Sequence, residues 1–461
     1  MSAPQTPAVL DNTKPLPRLG GVPRVRGNSP LGALGELMRD QFGALRRWQR
    51  EYGGVFEIQI GPTSFVVAAD ANAASEMLIE HGSVFTREGP LYAAMEPLFG
   101  DNSMLSSEGP VWRSRRQAAQ PQLRQRAVAA MADRVHGSLE QVLQELTPGA
   151  CDVYRFSGRI SMSVALSVVF GHSVVRQQFE ELGAAVDYAV GRIALGWVAS
   201  RLPRWVPMPG GRRLRRELAV IDDMLRSLVQ TRVQSGEFGD DLFGMLLHMQ
   251  DPDSGSGLSI ADIRNESVAL MVAGYETTAN AIAWSLHELA RDRSLLERVR
   301  AEADAHLDSG SPLANPKALA CTRRVFMESM RMYPSGIWLP RNAAVKGELC
   351  GYPIAAGTPV LCSPYLVHHD PHAWTDPERF DPERFKEGSD QPRARHAYMP
   401  FGLGQHMCIG QHLAMLEGTL ALARLVQRWD LAPIPGREPV MKISTTMSTK
   451  DGIWLQLSPR E

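Results

Sequence analysis

Residues 401–411 read FGLGQHMCIGQ and set Cys408, one of five cysteines, among Gly402, Gly404 and Gly410. A free cysteine is commonly a small buried hydrophobe. Glycines also let a backbone approach a flat ligand and aim N–H groups at a thiolate, so the same loop suits a metal ligand. Three other constellations carry polar groups at helical spacing. The stretch AGYETTAN, residues 273–280, puts Glu276 beside Thr277 where Gly274 and two threonines weaken a helix. Either a threonine bonds the i−4 carbonyl and the glycine admits a neighbour, or the helix opens to a ligand or water and the acid–alcohol pair carries protons. In FMESMRMYP, Glu328 and Arg331 stand at i, i+3 on a helix that Pro334 ends. On a surface such a pair means little; buried, the arginine fork could tie down a second segment. In VWRSRRQ, Trp112 and Arg116 stand at i, i+4, which suits either an anionic group or a basic helix with one tryptophan on its apolar side.

The elements that must hold these residues are partly legible. No proline occurs between Pro252 and Pro312, and Ser259 followed by Asp262 is a start signal, so the spacing predicts one long helix from about 259 to 292. VFEIQIGPTSFVVAA predicts a β-hairpin turning at Gly61-Pro62. Residues 1–30, with Pro15, Pro17 and Pro23, predict an extended arm before order begins, and no internal repeat or low-complexity linker within 31–461 marks a domain boundary. Helical periodicity dominates 110–330, broken by loops such as RLPRWVPMPGGRR and DPDSGSG. After Pro334, short β-like runs give way to a Pro-punctuated meander, HHDPHAWTDPERFDPERF.

The totals bound the function class. Across 461 residues, 44% hydrophobic content and a net charge of −1 describe an ordinary globular protein with no nucleic-acid face or acidic tail. There is no apolar run of about 18 residues and no signal-peptide core, so no membrane anchor and a cytoplasmic location are expected. Five irregularly spaced cysteines, none in CxxC spacing, predict free thiols and argue against a cysteine-built zinc site.

Taken in order, WxxxR, AGxETT, ExxR, a meander ending in FDPERF, and FGxGxHxCxG form a pattern that resembles the cytochrome P-450 family of haem-thiolate monooxygenases, from about residue 15 to the C-terminus. The resemblance implies a mainly α fold: one large helical domain with a small β-rich subregion, and haem between the long central helix and the Cys loop. It makes Cys408 the axial thiolate of haem b iron, with Gly402, Gly404 and Gly410 shaping the loop and Phe401 limiting water. Trp112, Arg116, Arg341 and His406 match the family's propionate contacts, and Ala273 and Gly274 its distal face. Thr277 and Glu276 match its proton relay for dioxygen activation, and Glu328, Arg331 and Arg384 a structural network that retains the haem. A mostly apolar substrate pocket is implied at Leu91, Tyr92, Met95, Leu98, Phe99, Ile337, Trp338 and Met447, with further contacts in VGRIALGWVASRLP and STTMST, for a hydrophobic small molecule.

The chain ends soon after the Cys loop, so electrons are expected from a separate ferredoxin or flavodoxin and its NAD(P)H-dependent reductase. Arg113 and Arg115 offer either a cationic docking patch or an ordinary charged helix face. The expected reaction is hydroxylation or epoxidation, with a place in secondary metabolism. A peroxide-driven or rearranging haem-thiolate enzyme and a non-catalytic haem or ligand binder are the alternatives. The Glu276–Thr277 pair argues against both, since neither needs proton-coupled oxygen activation.

Overall fold

The computed structural model of the chain describes residues 21–460 apart from 28–31, 172–175, 193–209, 237, 240, 251–254, 256, 308–317, 390–393 and 444–445. Most of the two Pro/Gly loops, the substrate stretch from residue 193 onward, the first two residues of STTMST and the first twenty residues of the arm therefore lie outside the described residues. The expected long helix runs Ile260–Arg291. It starts where Ser259 turns its hydroxyl oxygen to the Asp262 N–H at 3.1 Å, an N-cap that satisfies one of the orphan donors of the first turn. It stops at Asp292, whose carboxylate caps the next helix, Arg293–His306, through the Leu295 N–H at 2.9 Å.

Its second half is buried without interruption from Thr278 to Leu289. The small and β-branched residues of helix Val153–Phe170 let that helix lie close along it, and helix Gln411–Arg428 packs there too, its residues Leu416–Val426 all buried. Together these three form the centre of the main core. Helix Ala320–Met332 ends just before Pro334, as the proline requires.

The early hairpin forms as expected, Val55–Ile60 with Thr63–Ala68, around Gly61 at φ 59° and Pro62. It does not stand alone. Thr63–Ala68 pairs in parallel with Pro359–Cys362, which pairs with Leu339–Ala343 and then Phe85–Thr86, making one five-stranded sheet from both ends of the chain. The fold is thus mainly helical with a small β-rich region.

Order begins earlier than the arm's prolines suggested. Val22 and Val25 are buried, and Val25 N–H and Pro23 C=O bond the Glu57 backbone at 2.9 and 2.7 Å, extending the sheet edge. Pro23 can sit there because its missing N–H is not needed for that pairing.

Candidate active site

The Cys loop turns on left-handed glycines: Gly402 has φ 74° and Gly404 φ 71°. A Cβ on Gly404 would run into the Leu78 carbonyl oxygen, so both conformation and space demand glycine. Cys408 N–H donates to Phe401 C=O at 2.8 Å and closes the loop. A Cβ on Gly410 would lie 3.7 Å from the sulfur. Cys408 is set deep among protein atoms, and its surface is nonetheless open, the only one of the five free cysteines classed as exposed. Burial pushes its thiol above the ordinary value. Against that, the Gly410 and Gln411 N–H groups bond the sulfur and the Arg116 and Arg87 charges stabilise a thiolate. Gln411 opens helix Gln411–Arg428, so a helix N-terminus also faces the sulfur.

The burial of the long helix is interrupted midway by a window. Met271 and Val272 are buried and so is everything from Thr278 to Leu289, yet Ala273 is exposed and Gly274 to Thr277 are half-buried. The helix does not break there. Thr277 donates its hydroxyl proton to Ala273 C=O at 2.8 Å, and Ser335 donates to Thr277 C=O at 2.6 Å. The weakness of AGYETT therefore shows as side chains bonded to ladder carbonyls, with the helical path retained.

A cationic cradle forms where three segments meet. Trp112 is buried, with its ring 4.3 Å from that of His406 and the Arg116 guanidinium 5.7 Å from its centroid. Arg341 projects from strand Leu339–Ala343 and reaches the Tyr92 hydroxyl at 3.3 Å. Two residues join them that sequence reasoning missed. Arg87 extends past strand Phe85–Thr86, and burial, with the charges of Arg341 and Arg116, pulls its guanidinium down to about 10. Glu108 accepts the Arg87 N–H at 2.7 Å and lies 3.0 Å from His406 Nε2. Only tertiary pairing of Thr86 with Asn342 brings Arg87 beside Arg341, so no spacing in the sequence could have signalled it.

One carboxylate stands against three arginines here, while Trp112 Nε1 and His406 Nδ1 are buried without partners among the described residues. The three cations and the orphan Trp112 Nε1 donor fit an anionic ligand edge, while His406, whose Nε2–H is turned to Glu108, offers Nδ1 as an acceptor. An open thiol with the Arg116 and Arg87 charges of the cradle beside it fits haem b, whose two propionates would meet the cradle.

Glu328, Arg331 and Arg384 are all buried. Glu328 accepts from Arg331 at 2.8 and 2.9 Å, from Arg384 at 3.2 Å and from Asp381 N–H at 2.8 Å. The arginines also donate to meander carbonyls at His368, Pro377 and Asp376, each at 2.8 Å. His368, a third residue missed in the sequence, spans Arg331 C=O at 3.0 Å and Met399 N–H at 2.9 Å, so the network reaches the Cys loop. Burial pulls His368 down to about 3, which keeps it neutral and able to accept from Met399.

Other expectations need correction. Arg115 is buried, its guanidinium 3.4 Å from Asp262 and 3.5 Å from Glu266 of the long helix; only Arg113 of the expected docking pair is exposed, because residues 113 and 115 fall on opposite sides of the helix. Among the expected pocket residues, Leu98, Phe99, Ile337 and Met447 are buried in the main core, a position open to residues that line an enclosed apolar pocket. Tyr92 is also buried, with its hydroxyl donating to Pro340 C=O at 3.0 Å beside Arg341, so it belongs to the cradle. Leu91, Met95 and Trp338 are half-buried. A cleft of 1680 Å³ lies elsewhere, between helices Ala132–Leu143, Val153–Phe170 and Arg176–Val190, and none of the eight pocket residues lines it.

The family model for Cytochrome P450 matches residues 24–456. The chain is 31% identical over 388 residues to cyclooctat-9-en-7-ol 5-monooxygenase of Streptomyces melanosporofaciens, covering 84% of each. It is 26% identical over 386 residues to pentalenene oxygenase of Streptomyces avermitilis, covering 83% of this chain and 85% of that one. In fold it is similar to the crystallographic haem domain of cytochrome P450DA, with a TM-score of 0.83, 23% identity, and coverage of 96% and 98%. No helix among the described residues is long and apolar enough to cross a membrane. The family match spans nearly the whole chain, and the chain belongs to the cytochrome P450 family of monooxygenases.

Proposed function

We propose that the chain binds haem b through Cys408 and oxygenates a hydrophobic, largely hydrocarbon isoprenoid, by hydroxylation or epoxidation, with electrons from a separate ferredoxin or flavodoxin and its NAD(P)H-dependent reductase. The observation that carries this reading is the open Cys408 thiol, held in a glycine loop with two backbone N–H groups on its sulfur and the Arg116 and Arg87 charges beside it. Haem bound there supplies the one-electron chemistry and the binding and cleavage of dioxygen. Cys408 holds the group, with the Gly410 and Gln411 N–H groups on its sulfur; Gly402, Gly404 and Phe401 fix the loop. Trp112, Arg116, Arg341 and His406, joined by Arg87, meet the propionates.

Thr277 keeps its hydroxyl oxygen available as an acceptor beside the window, and Glu276 next to it supplies protons. Glu328, Arg331 and Arg384 act on retention of the group, since none faces the window. The isoprenoid class rests on relatives named for cyclooctat-9-en-7-ol and pentalenene. The exposed Arg113 supports docking of an acidic electron carrier, in the cytoplasm.

The first experiment is the reduced carbon monoxide difference spectrum of the holoprotein and of Cys408→Ala. A strongly red-shifted Soret band that vanishes in the variant is expected; its absence from folded, haem-loaded parent protein would end the thiolate reading. Titration with cyclooctat-9-en-7-ol and with pentalenene, followed by the spin-state shift, then tests the substrate class.

A further inference from the structure

The acid of the relay is itself held by residues outside the Glu276–Thr277 pair. Thr446, buried at the C-terminal end of the chain, donates its hydroxyl proton to Glu276 Oε1 at 2.7 Å. Asn280 in turn donates its amide to Thr446 Oγ1 at 3.1 Å. The donors run in one direction, Asn280 to Thr446 to Glu276, so the carboxylate sits at the accepting end of a polarised chain. Asn280 is 1% exposed, and its own Oδ1 is buried without a partner among the described residues, leaving an acceptor for a water.

The place of these residues on the helix gives the chain a purpose. At 100° per residue, Ala273 and Thr277 lie on one edge, Tyr275 and Ala279 on another, and Glu276 and Asn280 between them. The cleft behind the helix ends on Tyr275, Glu276, Ala279 and Asn280 and does not touch Thr277. Its walls carry Asp133, Arg134, Gln141 and Glu145, a lining that water wets readily.

We propose that Thr446 and Asn280 are positioning residues that hold the Glu276 carboxylate between this cleft and Thr277, so that protons enter from the cleft and not through the substrate side. The inference rests on the proposed role of Glu276 and Thr277. Reduction of dioxygen to hydrogen peroxide takes two electrons and two protons, and to two waters four of each. Slow proton delivery therefore shifts the product toward peroxide.

The test uses the haem-loaded full chain with NADPH, ferredoxin and ferredoxin reductase, and no organic substrate. Peroxide formed per dioxygen consumed is measured in the parent, Thr446→Val, Thr446→Ser, Asn280→Ala and Glu276→Gln. Loss of one hydrogen bond to a charged group corresponds to about tenfold in the rate it supports, so peroxide should dominate in Thr446→Val and rise in Asn280→Ala, with Thr446→Ser close to parent. The infrared carboxyl band of Glu276, assigned by its loss in Glu276→Gln, should shift in Thr446→Val and return in Thr446→Ser. If Glu276→Gln forms peroxide but Thr446→Val and Asn280→Ala behave as parent and leave the band in place, the positioning role is wrong and the relay stands. If Glu276→Gln itself behaves as parent, the relay is wrong and the inference falls with it. Should Thr446→Val fail to fold, Asn280→Ala and the band decide.

Discussion

Thr277 spends its proton on the Ala273 carbonyl, and its oxygen is left to accept one from whatever occupies the window. Thr277→Ala removes that acceptor while keeping the helix, so product formed per NADPH should fall by about tenfold with little change in thermal stability. Thr277→Ser should keep most of it, and a coupling measurement with matched melting curves checks both. A second acid behaves differently. Glu417, on helix Gln411–Arg428, is bonded to Ser161 alone among the described residues, and burial pushes it up to about 8. A carboxyl whose folded pKa lies above its unfolded value binds its proton more tightly when folded, so its contribution to stability is lost as pH rises from about 4.5 to about 8. Glu417→Gln should therefore match the parent near pH 5 and exceed it by up to about 5 kcal/mol near pH 9, read from denaturant unfolding across that range. Cys408, Glu276 and Thr277 were legible because each belongs to a run of consecutive residues. Arg87 was not, because it is brought beside Arg341 by the pairing of two strands more than two hundred residues apart.

Helix Ala320–Met332, the meander and the Cys loop are locked to one another by buried charge. Glu328 answers both Arg331 and Arg384, and those arginines hold meander carbonyls in place while His368 carries the link to Met399. Glu328→Ala strands two guanidinium groups in the core, which costs about 3–5 kcal/mol. The expected result is a lowered melting temperature and faster transfer of haem to apomyoglobin. An unchanged transfer rate would separate this network from haem retention. The i, i+3 spacing of Glu328 and Arg331 was visible in the chain. Whether it was a surface pair or a buried one depended on what packed over it, and only the meander's course answered that.

Across the whole molecule, the cradle sets three arginines around one carboxylate, an arrangement that favours a bound anion. Binding a ligand to the folded form alone raises stability by mass action. Haem b should therefore raise the melting temperature of the apoprotein, and haem dimethyl ester, which lacks the carboxylates, should do so much less. Each lost charge-assisted hydrogen bond is worth about 1.5–3 kcal/mol. The Cys408-dependent carbon monoxide band should survive the exchange, since the sulfur ligand is unaffected. Equal stabilisation by the two porphyrins would remove the propionates from the cradle.

The sequence by itself determined the long helix, the hairpin, the glycine-bound thiol loop and the order of motifs along the chain. Caps, proline spacing and glycine conformations act over a few residues and can be read wherever they stand. Tertiary structure alone decided the rest. It buried Arg115 against Asp262 and Glu266, sent Leu98, Phe99, Ile337 and Met447 into the core, moved Tyr92 to the cradle, and joined Thr446 to Glu276 across 170 residues. Burial and partnership depend on which surfaces meet, and no local pattern carries that information.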